Sequence, residues 1–196
     1  ILASLAFSKK IDINTIPVVG IDTLDTIDVT FGQELGYIVK LLAVAQRSSE
    51  GISLRVRPAF IGTDHPLAWV SGPFNAVSVY GHAVGHTMYY GRGAGASPTA
   101  SAVVADIVST AVGTMKPVFD TLGIWSDITE EAIQLPIEKI TGRYYLRLMV
   151  QDKPGVFAGI ADTLGKQGIS ISSVLQKEPT GPAQTGHGPT IVPVVI

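Results

Sequence analysis

Two short stretches of this chain hold residues whose types and spacing could do chemistry. The first is Gly91-Arg92-Gly93-Ala94-Gly95-Ala96-Ser97-Pro98. Glycines let a backbone approach a ligand closely and adopt positive φ. A helix that starts just after them presents free N–H groups and a positive dipole end to an anion or a polar group. The spacing G-x-G-x-G misplaces the third glycine of a dinucleotide fingerprint. No acidic residue closes a second strand about 20 residues on, as that fingerprint requires. On residue pattern alone the stretch reads either as a ligand-facing loop or as a tight crossover from sheet to helix. The second stretch is Asp152-Lys153-Pro154-Gly155, followed by Val156 and Phe157. Here Asp can cap the next helix, Pro fixes the turn and Gly permits close approach. It reads as a well-made turn or as a small-molecule pocket in which helix N–H groups face a carboxylate.

The histidines offer less. His82 and His86 are four residues apart, which would align them on a helix, but Gly81, Gly85 and a strand-like pattern surround them. No neighbouring carboxylate completes a ligand set, His65 precedes Pro66 in a turn, and His187 lies in a Gly/Pro-rich loop. Surface or hydrogen-bonded histidines are expected and no metal site. No Ser/His/Asp arrangement has a spacing that specifies roles. With no cysteine among 196 residues, thiolate chemistry and disulfides are excluded. A net charge of -2 leaves no basic surplus for nucleic acid. The apolar run Ala102–Met115 is broken by Asp106, Ser109, Thr110 and Gly113, short of the roughly 20 residues of a membrane helix. The chain reads as a soluble, cytoplasmic protein with large buried surfaces, including a subunit interface.

Residues 1–8 finish a helix that lacks a cap, so the chain reads as a piece of a longer one. Thr23–Leu35 is a helical candidate with Gly36 as its stop. Ile38–Ala45 is strand-like, apolar and compact, and Ser53–Pro58, Ala76–Tyr80 and Thr87–Tyr90 alternate apolar and polar residues as in a sheet covered on one face. Ser97 is a natural N-cap and Pro98 a natural first residue for a helix carrying Val104, Ile107, Val108, Ala111 and Val112 on one stripe. Pro117, Gly123 and Pro136 punctuate a locally acidic connector containing Asp127, Glu130 and Glu131. The tail predicts a strand at Tyr144–Val150, a helix at Val156–Gln167 ended by Gly168, a strand at Ile169–Gln176, a hairpin loop and a strand at Thr190–Ile196. That order opens a ferredoxin-like βαββαβ unit, incomplete at its end. The fold class is therefore α+β, an antiparallel sheet with helices followed by a partial ferredoxin-like unit. The expected domains are 1–113, with helix 98–113 leaving the sheet, a linker 114–140, and 141–196.

A resemblance joins these pieces. His65-Pro66-Leu67-Ala68-Trp69-Val70-Ser71-Gly72-Pro73-Phe74-Asn75-Ala76-Val77 is followed by Tyr90-Gly91-Arg92-Gly93-Ala94-Gly95 and Pro98-Thr99-Ala100-Ser101-Ala102-Val103-Val104. This ordered set resembles the homoserine dehydrogenase pattern HPLA-x-V-x-G-x-x-NAV, then YGRGAG-x-x-PTASAVV. Residues 35–42 resemble its LGY-x-IKLL. Tyr144–Leu148 with Asp152–Val156 is similar to the ACT regulatory domain appended to many bacterial members. The pattern departs at His82, where the family carries an acidic residue.

The resemblance implies NAD(P)-dependent interconversion of homoserine and aspartate 4-semialdehyde, with NAD or NADP as cofactor and a dimer or tetramer as the assembly. It implies that the catalytic lysine lies upstream of Ile1, so no catalytic residue transfers. Gly93 and Gly95 would face the cofactor, and the helix beginning at Pro98 would return to a nucleotide-binding domain. Asp152, Gly155, Val156 and Phe157 would receive an amino-acid effector, threonine by resemblance. The alternative is a non-catalytic ACT-type protein that binds an amino acid for regulation.

Overall fold

A computed structural model describes residues 1–124, 129–177 and 190–196. Asp127, His187 and the expected hairpin loop lie outside the described residues. The elements in order are α1 (Leu2–Phe7), α2 (Thr26–Glu34), β1 (Tyr37–Arg47), β2 (Ile52–Gly62), β3 (Phe74–Gly81), β4 (Gly85–Arg92), α3 (Ala96–Ala111), α4 (Met115–Leu122), β5 (Arg147–Gln151), α5 (Val156–Lys166), β6 (Leu175–Gln176) and β7 (Ile191–Val195). They fall into two compact units. One holds Ile1–Thr23 and Ile38–Thr141, the other Leu24–Tyr37 and Gly142–Ile196.

In the first unit the strands pair as two hairpins, β1 with β2 and β3 with β4, rather than as one sheet. The break falls in residues 63–73. There His65 and Pro66 turn the chain into a short 3₁₀ helix, Pro66–Trp69, and the His65 Nδ1 accepts the Leu67 N–H at 3.1 Å. The β3–β4 register runs from Phe74 opposite Arg92 to Gly81 opposite Gly85, which brings the NAV segment against the strand leading into the glycine loop. Residues 114–140, expected as a connector, contain α4 and are stitched to this unit. Lys10 N–H donates to the Glu130 carbonyl at 2.8 Å and Ala132 N–H to the Lys10 carbonyl at 2.9 Å. Ile52 N–H donates to the Ile133 carbonyl at 2.8 Å, and Leu135 N–H to the Ile52 carbonyl at 2.9 Å. A strand end left unpaired would leave these backbone groups without partners, and the returning chain satisfies them.

The α3 stripe behaves differently. Its Val104, Ile107 and Val108, the capping Val112 and the neighbouring Val103 are between 52% and 66% exposed, and no α3 residue is buried. No single helix among the described residues is long and apolar enough to cross a membrane. Together α3 and α4 reach that length, but they meet at an 83° bend.

The second unit has a three-stranded antiparallel sheet in the order β5-β7-β6, with Val192, Val194 and Val195 buried in its middle strand. Pro193 in a middle strand looks misplaced, since proline cannot donate to a ladder. The register explains it. Leu146 and Ile196 exchange both backbone hydrogen bonds at 2.9 and 3.0 Å. Alternation then makes Met149–Pro193 a non-hydrogen-bonded pair toward β5. On the other side β6 ends at Gln176, opposite Val194, so no strand residue faces the missing N–H. Residues 169–174, expected as part of β6, have no ladder partner among the described residues.

Helix α2 belongs to this unit. Asp25 caps it, its Oδ1 accepting the Ile27 N–H at 3.2 Å, and Phe31 is buried to 2% exposure. Asp28 in its first turn accepts from the Arg147 Nε and from the Tyr145 hydroxyl, both at 2.6 Å. Burial works to raise the Asp28 pKa, but the hydrogen bonds from Arg147 and Tyr145 and the guanidinium charge prevail and hold it below the usual carboxylate value. Burial and the Asp28 carboxylate push the Tyr145 hydroxyl well above the usual tyrosine range.

Each shift has its own pH window. A depressed carboxylate contributes stability above its unfolded pKa, of about 4, and loses it as pH falls through the lower folded value. A raised tyrosine contributes fully below its unfolded pKa, of about 10, and loses that contribution as pH rises further. Urea unfolding of the chain between pH 2 and pH 6 is expected to show an acid slope that Asp28→Asn flattens. An unchanged slope in the variant would mean that Asp28 is not the group responsible.

Candidate functional site

The glycine loop is built from β4 and the start of α3. Tyr90 stacks on Phe74, with ring centroids 4.9 Å apart and planes 7° from parallel, and the Arg92 guanidinium lies 5.1 Å over the Phe74 ring. The Gly93 N–H donates to the Pro73 carbonyl at 3.3 Å. A Cβ at Gly93 would sit 1.6 Å from Asn75 Nδ2 and 2.8 Å from its Cγ. A side chain at 93 would therefore require the exposed Asn75 side chain to move or the loop to shift. Sequence reasoning singled out Gly93 for a ligand and missed Asn75, although the Asn-Ala-Val segment was in plain view.

Gly95 has a different reason to be glycine. It is the N-cap of α3, with φ 124° and ψ 152°, a backbone that L side chains rarely adopt. The expected start of this helix needs correction. It begins at Ala96, and Ser97 and Pro98 lie inside its first turn, so Ser97 is not the cap. Pro98 is tolerated there because first-turn N–H groups have no intrahelical acceptor. No side chain caps α3. The N–H groups of Ala96 and Ser97 at the helix start suit an anion or a polar oxygen. The loop holds no carboxylate, histidine or lysine, so it can hold a ligand but supplies no general base of its own.

His82 and His86 sit on the same hairpin, and His65 precedes it at the start of the 3₁₀ turn. His86 Nε2 is 2.6 Å from Ser78 Oγ, and the His65 and His86 rings meet edge-on at 5.6 Å. No group of three or more His, Cys, Asp or Glu side chains capable of holding a metal occurs among the described residues.

In the second unit the Asp152–Gly155 turn joins β5 to α5. Gly155 is the N-cap of α5 at φ 90°, and no side chain caps that helix. The cap expected of Asp152 is absent. Its Oδ1 instead accepts from Gln176 Nε2 at 3.3 Å, and its N–H donates to the Thr190 carbonyl at 2.9 Å. Sheet pairing draws Asp152 toward β6 and β7 and away from the helix start. Val156 faces an apolar groove of about 520 Å³ between β5 and α5, whose walls include Leu146, Leu148, Ile160 and Leu164. Phe157 is 41% exposed at the mouth of the same turn.

Residues 1–108 match the family model of homoserine dehydrogenase. The chain belongs to the homoserine dehydrogenase family. Residues 144–195 match the ACT domain model. The homoserine dehydrogenase of Pseudomonas aeruginosa is 44% identical over 181 residues, covering 91% of this chain and 42% of that protein. The Bacillus subtilis enzyme is 38% identical over 176 residues, covering 90% of this chain and 40% of its own length. Among solved structures, the homoserine dehydrogenase from Thiobacillus denitrificans aligns with a TM-score of 0.81 at 38% identity, over 99% of this chain and 43% of that one. The chain thus spans about two fifths of the homoserine dehydrogenases it matches. The glycine loop and the Asn75 contact fall in the homoserine dehydrogenase region, and the Asp152 turn in the ACT region. Helix α2 lies inside the first matched region but packs in the same unit as the second.

Proposed function

We propose that this chain is the C-terminal part of an NAD(P)-dependent homoserine dehydrogenase, which interconverts L-homoserine and L-aspartate 4-semialdehyde in the cytoplasm. The observation that carries the reading is the uncapped start of α3 behind Gly95, at the end of a β-hairpin whose sequence matches the family. Gly93 and Gly95 would lie against the nicotinamide cofactor, with the Ala96 and Ser97 N–H groups offered to one of its polar oxygens. When bound, that cofactor supplies or accepts hydride. The chain's own part is to position the loop through Asn75, Phe74 and Arg92 and to exclude water from that edge. In this reading the lysine that handles the proton would lie upstream of Ile1. The exposed α3 stripe supports this division of labour, since an uncovered row of valines and isoleucines is the kind of surface a nucleotide-binding domain would bury.

The tail would bind an amino-acid effector at Asp152, Gly155, Val156 and Phe157. The α5 N–H groups would receive the carboxylate and Asp152 the ammonium group, with threonine as the proposed effector. Val77, Val79, Tyr89 and Tyr90 on the β3–β4 hairpin are also exposed, in keeping with a homo-oligomer formed through this region. Sedimentation of the intact protein as a monomer at micromolar concentration would remove that part of the reading.

The decisive experiment is an assay of homoserine-dependent NAD⁺ or NADP⁺ reduction. The intact enzyme that contains this chain is expected to be active, and residues 1–196 alone to be inactive. An inactive intact enzyme would overturn the dehydrogenase assignment in favour of a purely regulatory protein. Activity of the isolated chain would overturn the placement of the catalytic lysine outside it.

A further inference from the structure

Helix α2 is part of the catalytic family's sequence and part of the regulatory unit's packing. What holds it there is polar as well as apolar. Asp25 uses one carboxylate oxygen to cap the helix, and its other oxygen accepts from Arg147 Nη2 at 3.2 Å. One turn on, Asp28 Oδ1 takes the Arg147 Nε at 2.6 Å, and Oδ2 takes the Nη2 at 3.2 Å. The Tyr145 hydroxyl completes the cluster on Asp28 Oδ1 at 2.6 Å. Such a two-pronged guanidinium contact fixes orientation as well as distance. The partners are well shielded, with the Asp28 side chain 12% and the Arg147 side chain 25% exposed. At the far end of the helix the Lys177 ammonium pairs with the Glu34 carboxylate and lies 5.7 Å over the Phe31 ring. Both ends of α2 are therefore held by residues that belong to the regulatory unit.

The place of this clamp in the chain gives it meaning. Arg147 is the first residue of β5, and Asp152 directly follows its last. The five residues of β5 span about 16 Å, and the strand is paired with β7 along its whole length. The clamp on α2 and the Asp152–Phe157 turn are thus the two ends of one stiff strand. On the other side, only Leu35 and Gly36 separate α2 from β1. Gly36 has a φ of 83°, the left-handed stop that commonly ends a helix, so α2 runs into β1 through a two-residue junction. Strand β1 then carries Lys40, whose Nζ donates to the Val70 carbonyl at 2.5 Å, directly behind the 3₁₀ turn of Pro66–Trp69.

We infer that α2 is the coupling helix of this protein, and that the Arg147–Asp28–Tyr145 clamp transmits occupancy of the Asp152–Phe157 turn into β1 and the catalytic region. The inference rests on the proposed amino-acid site for its trigger, whereas the clamp stands on the geometry alone. Coupling needs an element whose position both sites bias. Here α2 is gripped by one unit and covalently continuous with the first strand of the other. A merely structural ion pair would stabilise the tail and leave β1 indifferent to it.

The test uses the intact enzyme with Arg147→Met, which keeps the stem and removes the fork, and Tyr145→Phe, which removes one hydroxyl and leaves the packing in place. Calorimetric threonine binding, threonine inhibition of turnover, and amide exchange over residues 26–34 and 38–42 are measured together. Arg147→Met is expected to bind threonine as the wild type does, yet to lose its inhibition by about fivefold or more. Its amides are expected to exchange faster in both segments. Tyr145→Phe is expected to move the same readouts in the same direction by less, and it carries the comparison if Arg147→Met fails to fold. Full inhibition retained in a folded Arg147→Met enzyme would overturn the inference. If the wild type binds no threonine, the effector reading falls. The unliganded exchange then decides the coupling, and acceleration confined to residues 142–151 overturns it.

Discussion

Gly93→Ala in the intact enzyme is expected to lower kcat/KM for homoserine by about a hundredfold, the scale on which misplacing a site by about 1 Å acts. Adding Asn75→Ala is expected to restore part of that loss. The reason is steric. The new Cβ would lie 1.6 Å from Asn75 Nδ2, so either the Asn75 side chain leaves its position or the loop lifts off the hairpin. Lifting is opposed by the Gly93 N–H bond to the Pro73 carbonyl at 3.3 Å and by the Phe74–Tyr90 stack below it. Contacting residues of this kind couple by about 0.5–3 kcal/mol in double-mutant cycles. Gly95→Val serves as the contrast. Its penalty comes from a backbone at φ 124°, of about 1–3 kcal/mol, and no neighbour's truncation relieves it. Cofactor affinity and turnover measured across the four proteins separate the cases. A wild-type Gly93→Ala enzyme would show that the loop tolerates a side chain. A double variant no better than the single one would place the constraint on the cofactor rather than on Asn75.

Phe31→Ala is expected to destabilise the unit formed by α2 and residues 142–196 by about 3–5 kcal/mol, the range for emptying an aromatic site in a core. Phe31 is among the largest fully buried side chains, and it shares that status with Val192, Val194 and Val195 of β7. A core this small has few other large groups to close around the gap. Amide exchange over β7, the middle strand that holds Val192, Val194 and Val195, reads the effect in increasing denaturant, because the amides of a unit's buried core exchange mainly through its opening. A loss below about 1 kcal/mol, the level of an ordinary surface change, would show that α2 merely rests on the sheet.

Much of the architecture was legible along the chain. The i, i+3, i+4 stripe of α3, the Asn-Ala-Val and glycine-loop segments, and the strand–turn–helix of the tail all announce themselves through local spacing. So does the family, because its motifs are long and ordered. Local preferences that competed with long-range pairing were harder to read. Ser97 and Pro98 look like the ideal opening of a helix, yet α3 starts earlier because Gly95 alone can supply the left-handed bend out of β4. Asp152 looks like a cap, yet Gln176 and Thr190 draw it into the sheet. The serine-rich stretch before Leu175 has strand alternation but no strand opposite it among the described residues.

By itself, then, the sequence determined the α+β class, the identity of the family, and most helix and strand segments, with α4 and residues 169–174 as exceptions, since these depend on periodicity and on residues close together in the chain. Only the tertiary structure decided three things. Asn75 comes to lie where a side chain at Gly93 would go. Pro193 can sit in a middle strand because its missing N–H points to where β6 has ended. Helix α2 leaves its sequence neighbours to pack with residues more than a hundred positions away, through Asp28 and Arg147. All three are consequences of which backbone edges and charged groups meet across long sequence separations. No local pattern encodes such meetings, because the energy that selects them comes from partners the chain finds only after it has folded.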